Sequence, residues 1–233
     1  MARLHDLKRS LRELLADPAW ASRLGELAAH PPRRLSGPLS SLLLDPDENV
    51  RWRAVVAFGA AVARLAETSL EQARVLMRTL MWRMNEESGG LGWGAPEVMA
   101  EAMAGHRVLA GEYHAILASY VLPEEDGREG NYLTHAPMRR GVFWGLGRLA
   151  QAWPELAGRA AAALLAGLAD PDACNRGLAA WTAGLLGLRE AEPGLRGLLA
   201  DAGAVAVFRG GRLETSSVGR LAREALAAIE ARV

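Results

Sequence analysis

The spacing of hydrophobic residues along the chain predicts α-helices over nearly its whole length. Between residues 217 and 231 the apolar positions recur every three or four residues, and between residues 68 and 86 they do so again. This period places them on one face of a helix, which packs against the rest of the protein. The positions are Val218, Leu221, Ala222, Ala225, Leu226 and Ile229 in the first segment, and Leu70, Ala73, Leu76, Met77, Leu80 and Met84 in the second.

Prolines mark the expected helix boundaries. Three of them follow an aspartate, in Asp17-Pro18, Asp45-Pro46 and Asp170-Pro171. A carboxylate there caps the free amides of a helix, and proline is tolerated at the first helical position because its N–H would have no partner. We therefore expect each of these aspartates to be an N-cap. Further boundaries are expected at Ala95-Pro96, Ala136-Pro137, Trp153-Pro154 and Glu192-Pro193.

Strand patterns are confined to one stretch near the end of the sequence. Residues 204–208 and 213–215 flank Gly210-Gly211, a pair that supplies the positive φ angles of a tight turn. A short β-hairpin is therefore predicted at 204–215. Two strands alone are marginally stable in water, so the hairpin is expected to lie against the last helices. Ser216 or Ser217 is expected to cap the helix that follows.

The sequence contains an internal repeat. The segment that starts at Asp45-Pro-Asp47 matches the one that starts at Asp170-Pro-Asp172 without a gap, residues 138–147 form a third copy, and residues 97–105 form a weaker fourth copy that lacks the arginine. Intervals of 46, 42 and 37 residues separate the aligned glycines, and each interval is long enough for two helices and two turns. The copies share an arginine (Arg51, Arg139 and Arg176) and a glycine (Gly59, Gly105, Gly147 and Gly184).

Each copy is expected to form a pair of helices whose second helix carries these shared residues. Glycine and alanine on that helix allow a neighbouring helix to approach closely. The shared arginine lies one turn into the helix. From there it can bond to the carboxylate or carbonyl groups of the inter-helix turn in its own repeat or in the next one.

This pattern resembles the HEAT-like repeat family, including the version named after phycobilisome lyases, over most of residues 36–187. The resemblance implies an all-α, right-handed α-solenoid with a concave surface. It further implies a single domain over 1–233, with capping helices at about 1–35, repeats at about 36–203, the hairpin, and a C-terminal helix at 217–232. Residues 82–96 and 131–150 are similar to an uncharacterised group of bacterial HEAT-like proteins. The family consists mainly of scaffolds, with scattered enzymes.

Composition narrows the classes of partner. The chain has 27 basic and 27 acidic residues, so no net field draws it to nucleic acid or to an anionic membrane. A single cysteine, Cys174, excludes an internal disulfide and any paired-cysteine metal motif. The longest apolar run, residues 160–169, is too short to span a membrane, and the first residues lack the apolar core of a signal peptide. A cytoplasmic protein without a cofactor or metal is expected.

The segment from Trp82 to Glu97 is the first candidate site. It contains four glycines within residues 89–94, and a helix stop needs only one. A dinucleotide fingerprint would need a preceding strand, and here a helix precedes. Tryptophan rings together with carboxylates suit a cationic group. The candidate residues are Trp82, Asn85, Glu86, Glu87, Trp93 and Glu97. An ordinary wide turn in which Trp93 fills a gap is the competing interpretation.

A metal site is the other chemistry these carboxylates allow. Two carboxylates from Glu86, Glu97 and Glu101 would bind a metal ion together with His106, His114 or His135. The spacing of these residues matches no recognised metal motif. Each histidine by itself is expected to be packed or solvent-facing. Residues 112–114 are expected to form a partly exposed helix face.

Residues 131–144 form the second candidate segment, with His135, Arg139, Arg140 and Trp144 as candidate ligand-binding residues. Asn131 and Thr134 are expected to cap the next helix. Arg139 is the shared arginine of the repeat, so a bond to an inter-helix turn explains its presence. Arg140 and Trp144 are four residues apart and therefore share a helix face. Two roles are open for Arg140, pairing with Glu86 or Glu87 or binding an anion. This helix is expected to line the same groove as the first segment.

Two function classes follow. The first is a non-enzymatic binding or scaffold protein that uses the concave face for a peptide, another protein or a small cationic ligand. The second is an enzyme on the same frame, such as a DNA glycosylase-like protein acting on alkylated bases. That class needs a strongly basic groove, and zero net charge argues against it. The family label alone suggests a tetrapyrrole lyase. No nucleophile constellation is visible in the sequence.

Overall fold

A computed structural model describes residues 2–85, 92–123 and 130–232 of the chain. Helices occupy most of these residues, and two short strands form the hairpin, so the predicted all-α fold with one β-hairpin is confirmed. The helices are α1 (Ala2–Ala16), α2 (Trp20–Arg23), α3 (Pro32–Leu42), α4 (Glu48–Thr68), α5 (Leu70–Met84), α6 (Ala95–Gly105), α7 (Arg107–Ser119), α8 (Ala136–Ala152), α9 (Pro154–Ala157), α10 (Ala161–Gly167), α11 (Ala173–Leu186), α12 (Glu192–Gly197) and α13 (Val218–Glu230). Short 3-10 helices lie at Leu24–Ala29, Gly158–Ala160 and Arg189–Ala191.

The chain divides into two compact units. The first unit contains Met1–Leu109 and Arg209–Leu213, and the second contains Ala110–Phe208 and Glu214–Val233. In the first unit, α4 packs against α3, α5 and α6, and α1 packs against α3 and α4. In the second unit, α11 packs against α8, α10 and α13. Each unit therefore has its own set of stacked helices.

The shared glycines lie where their helices touch a neighbouring helix, as the repeat predicts. A Cβ on Gly59 would overlap Glu101 of α6 and come within 2.9 Å of that residue's backbone carbon. In the second unit a Cβ on Gly184 would lie 2.6 Å from the Cα of Ala225 in α13. Gly147 of α8 faces Trp181 of α11 in the same way. Only a residue without a side chain lets these helices approach so closely.

The shared arginines make the predicted contacts with inter-helix turns. Arg51 Nη1 donates to the backbone oxygen of Asp45 at 3.1 Å, six residues earlier. Arg139 Nη1 donates to Leu133 at 2.9 Å and Arg176 Nη1 donates to Asp170 at 2.8 Å, each again six residues earlier. The repeat that the sequence shows is therefore also a repeat of contacts.

The prediction that the aspartates before proline are N-caps is wrong, because the N-cap position lies two residues further along the chain. The carboxylate that caps α4 belongs to Asp47, and the one that caps α11 belongs to Asp172. Asp45 and Asp170 instead accept the backbone amide two residues ahead, at 3.0 and 2.8 Å. Asp17 does the same with the amide of Ala19, at 2.8 Å. Proline after aspartate thus lies in the turn before the helix, because the aspartate side chain stabilises the turn itself.

The other boundary prolines are confirmed. Pro96, Pro137, Pro154 and Pro193 lie in the first turns of α6, α8, α9 and α12. The capping roles expected of Asn131 and Thr134 are wrong. His135 occupies the N-cap position of α8, and the Asn131 amide donates to Ser119 Oγ at 3.0 Å.

The hairpin is formed by β1 (Ala204–Arg209) and β2 (Arg212–Ser217), with φ angles of 59° at Gly210 and 76° at Gly211. Val205 of β1 packs near Gly177 of α11. Ser217 caps α13 by accepting the amide of Arg220 at 3.3 Å, which confirms one of the two predicted capping residues.

Candidate functional site

Two tryptophans of the first unit present their rings to solvent. Trp82, in the last turn of α5, is 60% exposed, and Trp93, directly before the start of α6, is 41% exposed. Other tryptophans of the chain, such as Trp20, Trp144 and Trp181, are buried. Exposed indole rings are uncommon because burying one removes a large apolar surface from water.

The described residues next to each ring have defined contacts. Next to Trp82, Arg83 Nη1 donates to Ser40 Oγ of α3 at 2.8 Å. Next to Trp93, Gly94 is the N-cap of α6 with φ of 77°, and a Cβ there would lie 3.1 Å from the side chain of Leu43. Asn85 ends α5 as its C-cap, with its backbone N–H donating to the backbone oxygen of Trp82 at 3.1 Å. Glu86 and Glu87 lie outside the described residues.

Glu97 is the carboxylate of this region that the structure describes. It lies in the first turn of α6, three residues after Gly94. Its residue surface is partly exposed, but its Oε2 atom is buried and has no hydrogen-bond partner among the described residues. Burial raises the pKa of Glu97 to about 7, against an opposing hydrogen bond from its own backbone amide. Trp82, Trp93 and Glu97 are called the candidate site below.

The raised pKa of Glu97 predicts a loss of stability as pH rises. Its ordinary pKa is 4.5 and its pKa in the folded protein is about 7, so the folded chain holds the proton more tightly than the unfolded chain. The contribution of Glu97 to stability therefore falls as pH rises from about 4.5 through about 7, and above that range this contribution no longer changes. We expect Glu97→Gln to gain about 2–3 kcal/mol relative to the wild type between pH 5 and pH 8. Urea unfolding at both pH values measures this difference.

Glu13→Gln is the matched control for this prediction. Glu13 is an exposed residue of α1, and its replacement is expected to leave the pH dependence of unfolding as it is in the wild type. Parallel pH profiles for the wild type and Glu97→Gln would contradict the prediction.

The candidates of the second segment lie in the second unit, and two of them are core residues. Arg139 is 4% exposed, and its Nε donates to Asp170 Oδ2 at 2.9 Å while Nη2 donates to Oδ1. Trp144 is 2% exposed, and its Nε1 donates to the backbone oxygen of Phe208 in β1 at 2.7 Å. The buried ion pair of Arg139 is structural, as the repeat predicts, and the ring of Trp144 is part of the core. Neither residue belongs to the candidate site.

Arg140 has a partner that the sequence did not indicate. Its Nε donates to Asp172 Oδ1 at 3.0 Å and its Nη2 bonds to the other oxygen of the same carboxylate. Asp172 also caps α11. This pairing fixes α8 to the start of α11 within the second unit.

The described residues contain no group of three or more metal-ligating side chains. The three histidines of the metal alternative have other surroundings. His106 Nε2 lies 3.7 Å from a carboxylate oxygen of Glu67, and His114 Nδ1 contacts the backbone oxygen of Ala110 at 2.9 Å. His135 starts α8. Residues 112–114 are partly exposed, as expected: Glu112 is exposed, whereas Tyr113 and His114 are buried.

One exposed residue near the candidate site was missed. Val75 of α5 is 49% exposed and lies two helical turns before Trp82 on the same face. The sequence indicates this exposure, because Val75 is not one of the regularly spaced residues that form the apolar face of α5.

Comparisons with known proteins concern the fold alone. No protein-family model matches the sequence, and no curated protein matches it. A designed armadillo repeat protein shares 19% identity over 94% of this chain and 98% of its own, with a TM-score of 0.45. An engineered protein shares 16% identity over 97% of both chains, with a TM-score of 0.49. The HEAT-like repeats protein of Thermococcus onnurineus shares 16% identity over 96% of this chain and 97% of its own, with a TM-score of 0.36.

The class of this protein follows from its own repeats. Paired helices, glycines at the contacts of the second helices and arginines in the inter-helix turns make it a helical-repeat protein. Across residues 2–85, 92–123 and 130–232, no helix combines the length and apolar character needed to cross a membrane.

Proposed function

We propose that this helical-repeat protein is a non-enzymatic binding protein, and that its first unit takes a peptide or a small cationic ligand at the candidate site. The observation that carries the proposal is the pair of exposed rings, Trp82 and Trp93, beside the ends of α5 and α6. Tryptophan is among the residues that contribute most to the free energy of binding, because its large ring is desolvated on contact.

Contacts of described residues next to the two rings favour binding. Arg83, which follows Trp82, donates to Ser40 Oγ of α3, and the amide of Ala95 donates to the backbone oxygen of Gly92 at 3.0 Å in the turn that contains Trp93. These residues do not have to be ordered by a ligand, which lowers the entropic cost of binding.

The chemistry of the candidate site favours a cation over an anion. The faces of indole rings carry partial negative charge and attract ammonium and guanidinium groups. Glu97 adds an acceptor oxygen that has no partner among the residues described. A lysine or arginine side chain of a partner peptide brings a positive charge and N–H donors that can bond to Glu97 Oε2.

Trp82→Ala and Trp93→Ala test the proposal. Each is expected to weaken binding of short lysine- and arginine-containing peptides by about 10-fold or more, since truncation of an interface tryptophan has effects of this size. Fluorescence anisotropy of a labelled peptide library measures the affinities, and circular dichroism verifies that the variants fold.

Leu165→Ala is the control variant. Leu165 is an apolar residue of α10 in the second unit, 36% exposed, and its truncation is expected to leave peptide binding unchanged. Equal binding by the wild type and both tryptophan variants would contradict the proposed site, as would a preference for acidic peptides.

A further inference from the structure

The four copies of the repeat differ in charge at one position. Eight residues before the shared glycine, three copies have an arginine, at Arg51, Arg139 and Arg176. In the fourth copy, which ends at Gly105, the residue at this position is Glu97. The position therefore carries a cation in three copies and a carboxyl group in one.

The three arginines show what this position does. Each guanidinium donates to the backbone oxygen six residues earlier, at 2.8 to 3.1 Å. Arg139 also binds the carboxylate of Asp170, and Arg176 binds that of Asp201 at 2.7 Å. In these copies, N–H donors and a positive charge lie in the inter-helix turn at the start of the second helix.

Glu97 reverses this arrangement. When ionised, its carboxyl group accepts hydrogen bonds and donates none. Its Oε2 is buried with no donor among the described residues, and the pKa is raised by burial rather than lowered by a neighbouring cation. A buried acceptor without a partner has lost its water without compensation, and native structures contain few of them.

We propose that the fourth copy is a binding site for a primary ammonium or guanidinium group, which donates an N–H to Glu97 Oε2 and supplies the cation that the other copies have in their own arginine. This inference rests on the proposed function, because it assigns the ligand chemistry of the candidate site. Trp93, four residues before Glu97, is 41% exposed, and an indole ring attracts alkyl-ammonium and guanidinium groups.

The proposal requires N–H donors and not positive charge alone. A trimethylated lysine keeps its charge and its attraction to tryptophan rings, but it has no N–H to donate. Binding of a primary ammonium group ionises Glu97, so the carboxylic acid proton passes to solvent as the ion pair forms. Because burial raises the pKa of Glu97 to about 7, part of the Glu97 groups carry a proton at neutral pH before binding.

The experiment compares three acetylated and amidated tripeptides, Gly-Lys-Gly, Gly-trimethyl-Lys-Gly and Gly-norleucine-Gly, by isothermal titration of the full chain. We expect the lysine peptide to bind about 10-fold or more tightly than the trimethyl-lysine peptide, the range of a charge-assisted hydrogen bond. Titration at pH 7 in phosphate and in Tris, which differ in ionisation enthalpy, is expected to show a net release of protons when the lysine peptide binds.

Glu97→Gln and Glu13→Gln complete the design. Glu97→Gln is expected to abolish proton release and to make the lysine and trimethyl-lysine peptides bind alike, and Glu13→Gln is expected to behave as the wild type. The peptide comparison on the wild type stands by itself if Glu97→Gln does not fold. Equal or tighter binding of the trimethyl-lysine peptide, or lysine binding without proton release, would overturn this inference.

The result also separates this inference from the proposed function. If Trp82→Ala weakens both cationic peptides equally and the wild type does not distinguish them, the aromatic site stands and the role of Glu97 is wrong. If no cationic peptide binds the wild type at millimolar concentration, both proposals are wrong.

Discussion

Replacing Arg139 by alanine is expected to lower the free energy of unfolding by about 3–5 kcal/mol, the effect of removing one partner of a buried ion pair. Arg139 and Asp170 each have about 5% of their side chains exposed. The variant leaves Asp170 as a buried carboxylate without its arginine, and it leaves the backbone oxygens of Leu133 and Thr134 without their donor. Urea unfolding monitored by circular dichroism measures the loss.

Arg9→Ala is the matched control. Arg9 pairs with Asp6 at 3.1 Å on the surface of α1, with 64% and 59% of the two side chains exposed. Because water already solvates both charges, this substitution is expected to leave stability unchanged within measurement. Similar effects for Arg139→Ala and Arg9→Ala would show that the arginines of the repeat do not stabilise the inter-helix turns.

Gly59→Ala is expected to destabilise the first unit by about 1–3 kcal/mol, although alanine favours helix formation over glycine. A Cβ at position 59 would overlap Glu101 and lie 2.9 and 3.0 Å from backbone atoms of Glu101 and Ala102. Helix α6 has to move away from α4 to admit the methyl group. The midpoint of urea unfolding is expected to shift accordingly.

The same substitution at an open position gives the opposite sign. Gly37 lies in α3 with no atom within 4 Å of an added Cβ. Gly37→Ala is therefore expected to stabilise the protein by about 0.5–1 kcal/mol, through helix propensity alone. A gain in stability at both positions would show that the contact between α4 and α6 is looser than the structure has it.

The repeat was predictable because it is written in local patterns. Residues three and four positions apart determine which face of a helix is apolar, and three copies with the same arginine and glycine predict the same contacts. The cap positions were harder to predict. In each Asp-Pro-Asp segment, either aspartate is suited to cap the helix. Which of them does so depends on whether the carboxylate of the first is already bonded to a distant residue. Asp45 is occupied by Arg12, at 2.7 Å, and Asp170 by Arg139.

The candidate site was predictable only in part. The tryptophans and glutamates of residues 82–97 stood out by their composition, and the structure places Trp82 and Trp93 at the surface. The same reasoning selected Trp144, which lies in the core. A tryptophan has the same chemistry in both surroundings, and its exposure depends on which distant segment covers it. For Trp144 that segment includes β1, which is 60 residues further along the chain.

The sequence by itself determined the helices, their pairing into repeats, the hairpin and the residues that every copy shares. These features depend on neighbours within a few turns of the chain or on comparison of one copy with another. The tertiary structure alone decided the partners of Arg140 and Asp45, the exposure of each described tryptophan, and the burial of Glu97 Oε2 away from any donor of the described residues. Those outcomes depend on contacts between residues far apart in sequence, because a periodic pattern defines a face but not the group that covers it.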